Sequence, residues 1–81
     1  MAKKLTFIYD EGVDILYAFF GKPEHSIYDP MGEGIYLRKD PISGNYIGFM
    51  ILDYAKRFEN NPPLIPNFEN IGIPPLNEIS I

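Results

Sequence analysis

Apolar and polar positions alternate with a period of two through much of the first sixty residues. From Lys4 to Tyr9, Leu5, Phe7 and Tyr9 fall on one side and Thr6 and Ile8 on the other, which is the pattern of a strand. Asp10-Glu11-Gly12-Val13-Asp14 reads as a turn, and Ile15 to Phe20 as a second strand rich in aromatic side chains. So short a link makes the two an antiparallel hairpin, because a parallel pair needs a crossover of about a dozen residues. Gly21-Lys22-Pro23-Glu24 breaks the pattern, His25 to Tyr28 allows a short extended piece, and Asp29-Pro30-Met31-Gly32-Glu33-Gly34 breaks it again. Ile35 to Lys39 and Tyr46 to Leu52 read as strands flanking a turn at Asp40 to Asn45. Asp53 then stands as an expected helix N-cap, ahead of one or two turns through Tyr54-Ala55-Lys56-Arg57-Phe58. Lys56 and Arg57 suit the C-terminal end of that helix. The pattern predicts a mainly β (α+β) fold: a four-stranded antiparallel meander, one short helix after the last strand, and an extended Pro-rich C-terminal tail.

The strands are apolar on both sides. Ile15, Tyr17 and Phe19 oppose Leu16, Ala18 and Phe20, and Met50 and Leu52 oppose Ile47, Phe49 and Ile51. A sheet with one solvated face would show apolar residues on one side only. Both faces therefore call for cover, and one short helix covers at most one.

Composition changes near residue 60, which divides the chain into a sheet domain (1–59) and a tail (60–81). The tail holds five of the eight prolines, five asparagines, eight aliphatic or aromatic residues and no Lys or Arg. Its prolines forbid a long helix and favour an extended path. Ordering twenty-two residues costs roughly 20–40 kcal/mol of backbone entropy, and burying eight such side chains returns roughly 12–24 kcal/mol. The tail is thus expected to order only when docked, on its own sheet or across a partner. Leu64, Ile65, Phe68, Ile71, Ile73 and Leu76 are the expected partner-binding residues.

With 81 residues the chain is one small domain. Cysteine is absent, which removes disulfides and thiolate metal sites and fits a cytoplasmic protein. No run of eighteen apolar residues exists to span a membrane, and Asp10 and Glu11 interrupt any signal-like start. A net charge of −4 argues against nucleic acid as a partner, since a binder needs a basic footprint.

Candidate chemistry is sparse. Asp10, Asp14, Asp40 and Asp53 are the carboxylates an enzyme with a metal would use, and turn carboxylates more often bond nearby amides. His25 is the only histidine, with no cysteine and no nucleophile elbow around a serine, and reads as a loop residue. Arg38 offers a pairing with Asp40 or Asp53. No cofactor is expected.

The runs Phe7-Ile8-Tyr9-Asp10, Asp14-Ile15-Leu16-Tyr17, Gly34 to Asp40 and Gly44 to Arg57 resemble a family of small prokaryotic proteins, catalogued as domain of unknown function number twenty-two eighty-three. Its members share a "Y-D, D-x-L-Y" opening and an "I-L-D-A-S-K-R"-like close. Here Tyr54-Ala55 stands where many members have Ala-Ser. The resemblance covers residues 5–58 and omits the tail. It implies no established catalysis and a role as an antitoxin encoded beside a small ribonuclease-like toxin. The resulting expectation is a non-enzymatic protein-binding module, antitoxin-like, that contacts a small basic toxin through its sheet and tail. A homodimer, with the chain as its own partner in a self-assembling β domain, is the rival expectation.

Overall fold

The computed structural model describes residues 4–21, 25–58 and 61–79. Residues 22–24 of the expected break at Gly21-Lys22-Pro23-Glu24, and the boundary at 59–60, lie outside them. Among the described residues five strands, one more than expected, form a single antiparallel sheet: β1 (Thr6–Asp10), β2 (Ile15–Phe19), β3 (Ile27–Gly32), β4 (Ile35–Lys39) and β5 (Tyr46–Leu52). The added strand is β3, which runs through the Asp29-Pro30-Met31-Gly32 stretch expected to be a break. Its place explains why proline is tolerated. β3 lies at the sheet edge and pairs with β4 alone, so the missing N–H of Pro30 need not join a ladder. The register slips between Pro30 and Gly32, which leaves Met31 as the extra residue of a bulge.

The spatial order is β1-β2-β5-β4-β3, so the sheet is not a sequential meander. The β1–β2 hairpin and the β3–β4–β5 meander join by pairing β2 with β5. β5 is the longest strand, with seven residues, and carries large apolar side chains on both sides, which suits the centre. Beyond it comes α1 (Tyr54–Phe58).

One face is closed. Across the sheet, Tyr9, Leu16, Ile51 and Ile35 make one row and Phe7, Ala18, Phe49 and Leu37 the next. Leu16, Ala18 and Ile51 are 0% exposed, and Phe49 and Leu37 are 1% exposed. The small Ala18 lets the rings of Phe7 and Phe49 meet edge to face across it, 6.3 Å apart. The tail lies over these rows and buries Ile65, Phe68 and Ile79. Phe68 packs 5.3 Å from Phe49 and 6.2 Å from Phe20. The tail bends as it goes: the Phe68 N–H bonds to the Ile65 carbonyl, the Ile71 N–H to the Phe68 carbonyl, and a 3-10 turn spans Leu76–Glu78.

Helix α1 is capped from a distance. Asp53, the expected N-cap, sits at φ 53° and gives only its carbonyl, to the Arg57 N–H. The capping carboxylate belongs to Asp14. The Ala55 N–H donates to its Oδ1 at 2.8 Å and the Lys56 N–H to its Oδ2 at 3.2 Å. The Tyr9 hydroxyl donates to the same Oδ1 at 2.7 Å, and the Tyr54 N–H reaches the Asp14 carbonyl. The β1–β2 turn thereby holds α1 in place, with Tyr54 2% exposed against the closed face.

Candidate functional site

The second face of the sheet contributes nothing to the buried core. Strand register arranges its side chains in three rows. The middle row runs Ile8, Tyr17, Met50, Tyr36 and Pro30, an apolar band crossing all five strands. On one side lie Asp10, Ile15 and Leu52, and on the other Thr6, Phe19, Gly48, Arg38 and Tyr28. Every large side chain of this face keeps solvent exposure, up to 38% for Ile8 and 41% for Tyr28. Aromatic and aliphatic residues fill most positions, and among the described residues charge is confined to Asp10 at a corner and Arg38.

Gly48 and Arg38 explain the third row. A Cβ on Gly48 would stand 2.1 Å from the Ala18 carbonyl oxygen, so β2 and β5 approach too closely there for any side chain. The register beside it slips between Arg38 and Lys39, which makes Ile47 the extra residue. Arg38 spans the space left over Gly48. Its guanidinium lies 5.7 Å from the Phe19 ring centre and 5.4 Å from that of Tyr28. Nη2 and Nε donate to Ser26 Oγ at 3.2 and 3.4 Å. Arg38 is therefore held by rings and a hydroxyl, and not by Asp40 or Asp53.

The carboxylates serve local structure. Asp10 accepts the Gly12 N–H and Asp40 the Ile42 N–H, as turn residues do. The Ile42 amide is the largest influence on Asp40 and, with Ser43, outweighs burial to lower its pKa. For Asp14 burial pushes upward, but the Ala55 and Lys56 amides, the Tyr9 hydroxyl and the Lys56 charge together lower the pKa below 3.8. The same bond, seen from Tyr9, pushes its phenol up to about 12, with burial and the Asp14 charge adding to it. Among the described residues no three His, Asp or Glu side chains stand together as a metal site. His25 is exposed. A shallow cleft of about 340 Å³ opens between Lys4, Phe20, Gly21 and Ile47.

The tail residues expected to meet a partner divide. Ile65 and Phe68 are buried on the closed face, Ile71, Ile73 and Leu76 are half-buried against it, and Leu64 is 78% exposed. No helix among the described residues is long and apolar enough to cross a membrane. The second apolar face was visible in the sequence. The extension of its rows onto Tyr28 and Pro30 was not, because it depends on an edge strand that breaker residues disguise.

Set against known proteins, the chain matches no family model, no curated protein and no solved structure.

Proposed function

We propose that this chain is a non-enzymatic protein-binding module that meets its partner through the open face of its sheet. The observation that carries the reading is the three-row apolar face left outside the core while the opposite face is closed. Apolar surface returns about 25 cal/mol per Å² when removed from water, and contiguous patches of this kind mark interaction sites. Ile65 and Phe68 would have to leave the sheet to touch a partner, so the tail's contribution to contact falls to exposed positions such as Leu64.

The finer reading is antitoxin-like. It rests on the family resemblance and on the −4 charge. The exposed acids Glu11, Glu33 and Asp53 stand in the turns around the sheet, where a small basic toxin would find a charged rim about an apolar centre. Cytoplasmic residence goes with that reading.

The test is capture by the tagged full chain from its source organism, beside a Tyr17→Glu/Met50→Glu variant of unchanged circular dichroism. The captured protein is identified by mass and then titrated in purified form. At least a tenfold loss of affinity in the variant is expected. Equal affinity for both baits sinks the open face as the docking surface.

A further inference from the structure

Resting on that reading, we infer that the occupant of the open face is a second copy of this chain, packed sheet against sheet about a two-fold axis running along β5. Three observations carry this.

The first is charge. The chain is at −4, so two copies repel each other unless their contact excludes the acids. The open face does exclude them. Asp29 points to the other side of the sheet, where the Tyr46 hydroxyl donates to its Oδ2 at 3.0 Å, and of the acids among the described residues only Asp10 touches the face, at its corner. The single base that the described strands place on the face, Arg38, is occupied by two rings and Ser26. A basic partner is left the acids of the surrounding turns, such as Glu11, Glu33 and Asp53, whereas a second copy would meet on the face a surface as neutral as its own.

The second is area. Five strands about 4.8 Å apart and five residues long, at about 3.4 Å each, give a footprint of roughly 400 Å². Accessible surface exceeds its flat projection, so a contact over such a footprint approaches the about 800 Å² per partner of a standard interface.

The third is self-complementarity. β5 is the middle strand, so rotation about an axis along it places each strand opposite the one equally far from the centre. Met50 then faces the partner's Met50. Tyr17 meets the partner's Tyr36, since both lie in the middle row one strand away from β5. In the outer row Phe19 meets the partner's Arg38 and Arg38 meets the partner's Phe19, so the cation–π contact within one copy extends across the interface. Two sheets packed in this way sit about 10 Å apart, the spacing of an aligned β-sandwich.

Sedimentation equilibrium of the purified chain at tens of micromolar should return twice the 9.3 kDa chain mass. Met50→Lys should halve that mass, and Ile42→Lys, in a turn 96% exposed, should leave it unchanged. A wild-type chain that is monomeric at hundreds of micromolar overturns the inference, as does a dimer indifferent to Met50→Lys. Should Met50→Lys unfold, crosslinking decides. The chain has no cysteine, so Met50→Cys places a single thiol on the axis, and a short bismaleimide should then yield a dimer well above the background set by Ile42→Cys. Background-level crosslinking overturns the inference. The two failures separate cleanly. A monomer whose different, purified partner is lost on Tyr17→Glu/Met50→Glu ends the second-copy occupant and keeps the open face as a docking surface. Indifference of both self-association and partner binding ends both.

Discussion

The two faces of this sheet are built from similar side chains and end in opposite states. On one, Phe49 and Ile51 lie under the tail and α1; on the other, Met50 and Leu52 keep exposure. Apolar content alone does not decide which face a chain covers. Relief does. On the closed face Phe7 and Phe49 meet across the small Ala18, and the ring of Phe68 packs against Phe49 and Phe20. The open face has a depression at Gly48, and Arg38 already bridges it from the side, which leaves the tail no hole to fill. Covering one face consumes the apolar tail, and the other keeps its exposure.

The sharpest way to break this comparison is to remove the cover. A chain ending at Asn60 loses Ile65, Phe68 and Ile79, three buried side chains whose burial is together worth about 5–9 kcal/mol. Total stability of a domain is on the order of 5–15 kcal/mol. The truncated chain is expected to lose its cooperative urea transition and to bind a dye for exposed apolar surface. A transition at the wild-type midpoint would show that the tail contributes no cover.

A smaller effect tests the faces residue against residue. Phe49 and Met50 are neighbours on one strand and point to opposite sides. Phe49→Ala should cost about 3–5 kcal/mol, because it empties space between Phe7 and Phe68. Met50→Ala, measured at low micromolar concentration, should cost under about 1 kcal/mol, as partly exposed positions do. Equal costs in urea melts would mean that the open face is packed in the monomer. A Met50→Ala cost that grows with protein concentration would instead report association through that face.

Much of the sheet could be read from the chain because its signals are local. β4 and β5 were expected at their observed bounds, and β1 and β2 within two residues, since period-two alternation and turn residues act over a few positions. β3 escaped because Pro30 and Gly32 break most strands, and only an edge position, a property of the whole sheet, excuses them. The insertion of β5 between β2 and β4 escaped for a similar reason: β2 and β5 pair across some thirty residues, and no local rule selects that pairing. Asp14 as the cap of α1 escaped because its partners lie 41 and 42 positions away. In the tail the apolar residues were plain, but Leu64 turning out while Ile65 turns in follows from how the tail lies on the sheet.

The smallest effect expected concerns the fastening of the closed face. Asp14 joins Tyr9 to the first turn of α1, and the two groups carry opposite pH dependences. The Asp14 pKa is depressed below 3.8 in the fold, so its contribution is fully present above that value and is lost as pH falls through the folded pKa. Tyr9 is raised from 10.0 to about 12, so its contribution is fully present below pH 10 and is lost as pH climbs from 10 toward 12. Asp40 shares the acid arm, and Tyr46 and Tyr54, both raised, share the alkaline one, so the test must be a difference between variants. Asp14→Asn retains a side chain suited to φ 55° and one acceptor oxygen, and should cost about 1 kcal/mol at pH 7. That cost should shrink in urea melts as pH drops below 3.8. Tyr9→Phe should shrink the acid arm without abolishing it, since the hydroxyl is one of several groups that lower Asp14, and should flatten the fall between pH 10 and 12. A cost for Asp14→Asn that stays constant from pH 7 to pH 2.5 would mean that the charge of Asp14 does not fasten α1. Neither variant should change the mass of the chain in solution, because the fastening acts on the closed side of the sheet.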